Sequence, residues 1–272
     1  MNINSKTKLL GLIGYPVEHS YSPQIHNYIS DKYNANFIYT SMCVKPDSLR
    51  EAVEGVRALG FTGVNVTAPH KVEVMQYLDE IDDLAIKYGS VNTIKNSDGK
   101  LIGYSTDADG FYSSIADVGY DVCGKDILII GAGGAARPVC VKFALLGANS
   151  ISVLNRTQSN ALAICELVYN VCGYNMDSIP SKNRYDLVVN TTSVGMHPNI
   201  EMSPITDYSI IDKDTVVADM IYNPRETKFL ACAKKRGAKV VNGMGMLIYQ
   251  GLYAYEIFTD IKLDFNIYKD IE

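Results

Sequence analysis

The stretch Asp126–Thr157 reads DILIIGAGGAARPVCVKFALLGANSISVLNRT, and the remainder of the chain is best interpreted outward from it. Ile127–Ile130 is a continuous apolar, mostly β-branched run, the pattern of a strand buried on both faces. Glycines follow at once. Gly131, Gly133 and Ala136 fill the three small positions of G-x-G-x-x-G/A, with Gly134 and Ala135 completing the loop. Each small position has a reason: a tight turn, close backbone approach to a pyrophosphate, and tight packing of helix on strand. Val139, Phe143 and Leu146 then recur at helical spacing, Gly147 suits a C-cap, and Ile151–Leu154 reads as a second buried strand. Strand, glycine turn, helix and strand aim the free amides of a helix N-terminus at phosphate, so this unit is expected to bind a dinucleotide.

The residues after the second strand bear on which dinucleotide. An NAD site usually places Asp or Glu here to accept from the ribose hydroxyls. This chain has Asn155, Arg156 and Thr157 instead. A carboxylate is missing and a cation is present, as a 2′-phosphate requires. The alternative is an arginine that is merely a solvated loop residue. The expected cofactor is NADP.

The chain has 272 residues, enough for one large or two ordinary domains. With 47% hydrophobic and 20% charged residues it has the composition of a soluble globular protein. A net charge of −5 offers no general attraction for nucleic acid or anionic membrane. The apolar run Leu9–Ile13 near the N-terminus is too short for a signal peptide or a span, and no later stretch reaches spanning length. Cys43, Cys123, Cys140, Cys165, Cys172 and Cys232 are scattered without C-x-x-C, and the four histidines also lack metal spacing. A metal-free cytoplasmic protein, a monomer or homodimer acting on a small molecule, is expected.

Before the fingerprint the chain alternates strand and helix without a nucleotide motif. Strands are expected at Leu9–Ile13, Phe37–Val44 and Val64–Val66. Helices are expected after Pro46, stopped by Gly60, and over Val72–Leu78. A short helix and a hairpin, Val91–Lys95 and Leu101–Tyr104 joined by Asp98-Gly99, follow. After the fingerprint come strands near Leu187–Asn190, Val216–Ala218 and Lys239–Val241, then a helix over Met246–Phe258. The expected architecture is therefore two α/β domains. Residues 1–105 would form one, with 243–272 returning to it, and residues 106–242 a Rossmann-like domain, with a ligand cleft between them.

Four polar clusters remain. Ser20 and Ser22, two apart, can project two hydroxyls to one side of an extended loop, although Ser-rich turns are common. Lys71 follows the strand-end Thr67; a plain surface lysine is the commoner reading. Asn92 and Thr93 interrupt an apolar strand. Asp107 suits the N-cap of a helix Ala108–Val118 equally well.

The segments GYPVEHSYSPQIHN, GVNVTAPHK, SVNTI, YSTDADG, GAGGAAR, NRT, VNTTSVGM, DMIYNP and NGMGMLIYQG occur in this order. Together they resemble the shikimate dehydrogenases, NADP-linked enzymes of aromatic amino-acid biosynthesis, from Gly14 to about Phe258. The resemblance implies interconversion of 3-dehydroshikimate and shikimate. It assigns the substrate carboxylate to Ser20 and Ser22, assisted by Tyr222. It assigns the ring hydroxyls to Thr67, Asn92 and Gln250, with Asn65 supporting that shell, and makes Lys71 and Asp107 the catalytic pair. Gly131, Gly133, Gly134, Ala135 and Ala136 would line the pyrophosphate. Asn155, Arg156 and Thr157 would hold the 2′-phosphate, and Met220, Gly243 and Met246 would border the nicotinamide. Three departures stand out: Tyr21 between the serines, Asn160 where the family frequently has a second arginine, and Pro138 near the start of the fingerprint helix. The rival readings are a quinate/shikimate dehydrogenase using NAD and a nucleotide-sensing regulator without catalysis.

Overall fold

The computed structural model describes residues 3–271. The chain divides into two compact units, Met1–Thr106 with Ile248–Glu272, and Asp107–Leu247.

In the first unit β1 (Lys8–Gly14), α1 (Ser22–Lys32), β2 (Phe37–Cys43), α2 (Leu49–Ala58) and β3 (Gly63–Val66) alternate. β1 pairs in parallel with both β2 and β3, which is what helical crossovers permit. β4 (Glu80–Ile81), α3 (Asp83–Tyr88), β5 (Thr93–Ser97) and β6 (Lys100–Tyr104) complete a six-stranded sheet of order β2-β1-β3-β5-β6-β4. β5 runs antiparallel to both neighbours, so the sheet is mixed. The β5–β6 turn places Asp98 at φ 52° and Gly99 at φ 90°, the two positive angles of a type I′ turn. On α2, Leu49, Val53 and Val56 share one face and are buried with Ile13, Val64, Val66 and Ile94.

The second unit contains α4 (Asp107–Ala116), β7 (Asp126–Ile130), α5 (Ala136–Leu145), β8 (Ser150–Leu154), α6 (Gln158–Cys172), β9 (Leu187–Asn190), β10 (Val216–Asp219), α7 (Lys228–Lys235) and β11 (Lys239–Val241). Its five strands are all parallel, in the order β11-β10-β9-β7-β8. Beyond β8 a single parallel bridge joins Ser152 to Asp177. With that bridge counted as a residual third strand, the order is the 3-2-1-4-5-6 of dinucleotide-binding folds. The order reverses between β7 and β9, and such a switch point opens a crevice outside the carboxyl ends of the strands.

α8 (Gly243–Thr259) begins in the second unit and belongs to the first from Ile248 onward. There the Tyr255 hydroxyl meets that of Ser30 at 3.0 Å. Phe258 lies so close to β3 that a Cβ on Gly63 would sit 2.3 Å from its ring. The terminal α9 (Tyr268–Ile271) is held by Tyr268 stacked on Tyr249, centroids 4.7 Å apart.

Several local expectations need correction. The helix expected over Val72–Leu78 is a 3₁₀ helix, Glu73–Tyr77. The Lys71 carbonyl accepts from the Val91 amide at 2.8 Å, which withdraws it from an i→i+4 ladder and tightens the turn. Asp107 opens α4 as its first residue and does not precede it as a cap; α4 ends at Ala116, short of Val118. Pro138 is the third residue of α5, in the first turn, where no carbonyl waits for its missing amide. β4 was not foreseen, since two residues carry no periodicity. Among the described residues no helix is long and apolar enough to cross a membrane.

Candidate active site

In the first unit, polar side chains gather where β1 and β3 end. Gly14 closes β1, and a Cβ there would lie 2.3 Å from Thr67 Cγ2 and 3.2 Å from the Ala68 carbonyl oxygen. The Tyr15 amide donates to that same carbonyl at 3.0 Å. Only a glycine lets the loop carrying Ser20 and Ser22 lie against the turn carrying Thr67 and Lys71. Along that loop the Ser20 amide donates to the Val17 carbonyl at 3.1 Å. The Ser22 amide donates to Ser20 Oγ at 3.2 Å. Ser20 thereby serves the start of α1, whose N-cap Tyr21 offers no side-chain bond. The two serine hydroxyls are themselves 3.2 Å apart. They sit at a helix N-terminus, where the macrodipole favours an anion.

The turn after β3 is equally fixed. The Thr67 amide bonds the Ile13 carbonyl at 2.9 Å, and the His70 amide bonds the Thr67 carbonyl at 3.0 Å. His70 is buried, with its Nε2 2.7 Å from the Val44 carbonyl oxygen. Lys71 is half-buried.

Asn65 and Asn92 are buried amides in apolar strands, and buried polar groups demand partners. Asn65 Oδ1 accepts from the Tyr39 hydroxyl at 2.8 Å, and its Nδ2 donates to the Asn92 carbonyl and to Thr93 Oγ1, both at 3.1 Å. Asn92 Oδ1 accepts from the Thr106 amide at 2.8 Å and from the Thr93 hydroxyl at 2.9 Å. Its Nδ2 donates to Thr106 Oγ1 at 2.9 Å and to Gln250 Oε1 at 3.4 Å. Asn65, Asn92 and Gln250 thus belong to one bonded network. Tyr39, Thr93 and Thr106 belong to it too. Thr93 had some signal as a polar residue in an apolar strand; Tyr39 had none, because an aromatic alternating in a strand reads as core.

The second unit carries the glycine loop. Gly131 has φ 107°, and a Cβ there would lie 2.6 Å from Thr192 Cγ2 and 2.7 Å from Thr191 Oγ1. Its role is structural: the Thr191–Thr192 loop crosses directly over it. Gly133 and Gly134 are exposed and would meet nothing within 4 Å. Ala136 is fully buried, and the N-cap Ala135 of α5 gives its helix no side-chain bond. The first-turn amides of α5 therefore face an open, side-chain-free approach of the kind a pyrophosphate needs.

At the end of β8, Asn155 Nδ2 donates to the Thr157 carbonyl at 2.8 Å, shaping the loop. Thr157 is the N-cap of α6 yet makes no side-chain cap bond, which leaves its hydroxyl available. Arg156 is exposed and makes no ion pair among the described residues.

The segments after β9 and β10 meet at Asp219. Its carboxylate accepts from the Thr227 hydroxyl at 2.7 Å, from the Ile221 amide at 3.0 Å and from Asn190 Nδ2 at 3.0 Å. Burial pushes its pKa up to about 6 against the pull of those three bonds. The Thr227 bond closes the base of the Met220–Glu226 loop, which carries Met220 and Tyr222, both half-buried. Gly243, at the start of α8, packs on that loop: a Cβ would lie 2.1 Å from the Met220 carbonyl oxygen. Met246 lies half-buried one turn further along α8. The polar ends of otherwise apolar strands, VVN and VVAD, were the available signal for Asn190 and Asp219.

Of the sequence-derived residues, Ser20, Ser22, Asn65, Thr67, Lys71, Asn92 and Gln250 fall in the first unit. Asp107, Tyr222, Met220, Gly243, Met246 and the glycine and NRT residues fall in the second.

Comparisons with known proteins complete the description. Residues 12–94 match the family model described as the shikimate dehydrogenase substrate binding domain, and residues 114–235 that of shikimate / quinate 5-dehydrogenase. A protein of Methanococcus aeolicus named shikimate dehydrogenase (NADP(+)) is 44% identical over 279 residues, covering 98% of each chain. A crystal structure of a shikimate dehydrogenase in complex with NADP+ superposes with a TM-score of 0.91 at 41% identity, covering 99% of this chain and 96% of the other. The Thermus thermophilus shikimate 5-dehydrogenase in complex with NADP(H) and shikimate gives a TM-score of 0.88 at 31% identity, covering 97% and 98%.

Proposed function

The chain belongs to the shikimate dehydrogenase family, and we propose that it catalyses the reversible, NADP-dependent reduction of 3-dehydroshikimate to shikimate with the residues described above. The observation that carries the substrate assignment is the pair of hydroxyls on Ser20 and Ser22, 3.2 Å apart at the N-terminus of α1. Two donors and a helix dipole at one spot suit a carboxylate, and Tyr222 is the further carboxylate-binding residue that the family implies. Thr67, Asn92 and Gln250 take the ring hydroxyls, and Asn65, bonded to Tyr39, Thr93 and the Asn92 carbonyl, holds Asn92 in place.

The glycine loop, the open α5 N-terminus and the exposed Arg156 fit NADP. When bound, NADP supplies the hydride. The protein supplies orientation and proton handling. As a ketone gains hydride its oxygen gains negative charge, and the Lys71 ammonium stabilises that charge and provides the proton. Asp107 is the other member of the catalytic pair that the family implies. Met220, Gly243 and Met246 form the nicotinamide platform, which Asp219 and Thr227 brace from behind. Six unpaired cysteines suit a reducing compartment, and we place the enzyme in the cytoplasm.

The test is reduction of 3-dehydroshikimate, followed by loss of NADPH absorbance, in wild type and in a Ser20→Ala/Ser22→Ala double variant. Each charge-assisted bond lost should cost roughly 1.5–3 kcal/mol in apparent binding of the acid, with the KM for NADPH nearly unchanged. Equal loss of acid and nucleotide binding would mean that the serine loop serves the fold and not the carboxylate.

A further inference from the structure

Tyr39 lies in the middle of β2 and is 2% exposed. Its backbone is gripped from both sides by one residue of α1: Asn27 Oδ1 accepts from the Tyr39 amide at 2.8 Å, and Asn27 Nδ2 donates to the Tyr39 carbonyl at 2.9 Å. Its ring stacks flat on His26, centroids 4.1 Å apart and planes 8° apart. His26 is fully buried, and burial lowers its pKa to about 3, so the stack is a neutral floor. Backbone and ring are both fixed, and the hydroxyl has one place to go. It donates to Asn65 Oδ1 at 2.8 Å. Burial holds the phenol well above its ordinary pKa, so it stays a donor.

The bonds form one continuous line. Tyr39 donates to Asn65, Asn65 donates to the Asn92 carbonyl, and Asn92 donates to Gln250. Every member except Tyr39 has a place in the substrate reading. We propose that Tyr39 is a positioning residue for the substrate. Its hydroxyl anchors Asn65 and, through Asn65, the amides that hold the ring. This inference rests on the reading of Asn92 and Gln250 as holding the ring hydroxyls. The unit contains a built-in comparison. Tyr255 is another buried tyrosine whose hydroxyl meets Ser30 at 3.0 Å, and Ser30 is outside the line.

Tyr39→Phe keeps the ring stack and removes only the oxygen. The KM for shikimate should rise about three- to tenfold, the effect of one neutral hydrogen bond, while kcat and the KM for NADP stay within about twofold. Tyr255→Phe, with a comparable fall in Tm, should leave all three constants unchanged. In an Asn65→Ala background, Tyr39→Phe should add less than about twofold, because the route to the ring amides is already cut. If Gln250→Ala raises the KM and Tyr39→Phe does not, the positioning role is overturned and the ring-hydroxyl site stands. If neither raises it, both fall. If Tyr39→Phe and Tyr255→Phe raise it equally, the effect is general loosening of the unit and the positioning role is overturned.

Discussion

The two glycines of the fingerprint loop should respond in opposite ways to the same substitution. At Gly133 an added Cβ meets no atom within 4 Å, so Gly133→Ala costs the folded protein nothing. Restricting the unfolded chain should even add about 0.4–1 kcal/mol of stability. The methyl would stand instead where a pyrophosphate must approach the backbone. Displacing it from one charge-assisted amide bond forfeits roughly 1.5–3 kcal/mol, or about ten- to 150-fold in the KM for NADP. At Gly131 the φ of 107° and contacts of 2.6 and 2.7 Å with Thr192 and Thr191 reverse the balance. Left-handed strain of about 1–2 kcal/mol and overpacking of about 1–3 kcal/mol should fall on the fold of Gly131→Ala. Thermal unfolding with and without NADP, beside the KM values for NADP and shikimate, separates the cases. Gly133→Ala should keep or slightly raise its Tm and show a smaller nucleotide-dependent rise; Gly131→Ala should lose several degrees without ligand. An unchanged KM for NADP in a stable Gly133→Ala protein would refute pyrophosphate binding at this loop.

Three further outcomes are expected. Lys71→Ala should leave circular dichroism and nucleotide binding intact while turnover falls about 10²–10⁴-fold; a loss under tenfold would remove Lys71 from the chemical step. Arg156→Ala should weaken NADP by about ten- to thirtyfold and leave NAD nearly unchanged. Arg156 is exposed and its bond therefore screened, so the comparison is of kcat/KM at two salt concentrations. Asp219 has its pKa raised from 3.8 to about 6 by burial. The folded state therefore holds that proton more tightly than the unfolded chain, and the associated stability is complete below pH 4 and lost as pH rises through 6. Relative to Asp219→Asn, wild type should lose on the order of 2 kcal/mol between pH 4 and 7, read from Tm measured across that range.

What was legible in the sequence is what depends on neighbours along the chain. The Ile127–Ile130 run, the glycine loop and the Asp98-Gly99 turn each state their own conformation locally. The glycine that stops α5 does so too: Gly147, with φ 80°, stands one residue past the C-cap Leu146. What escaped depends on partners far away. The 3₁₀ helix after Lys71 follows from a bond to Val91, twenty positions on. The residual third strand is one bridge from Ser152 to Asp177, too little to leave a pattern. Tyr39 acquires its place only when β2 and β3 flank β1 and bring Asn65 to its hydroxyl. Asp219 and Asn190 look like strand ends until β9 and β10 pair in register. A motif marks which residues matter more readily than which residues hold them still.

The most direct measurement is kcat/KM of the purified protein for four pairs, shikimate and quinate each with NADP+ and NAD+. Shikimate with NADP+ should exceed shikimate with NAD+ by about tenfold or more, the value of one screened charge-assisted bond, and quinate should be turned over poorly with either nucleotide. Turnover of quinate with NAD+ at a rate equal to or above that of shikimate with NADP+, or no turnover with any pair, would contradict it.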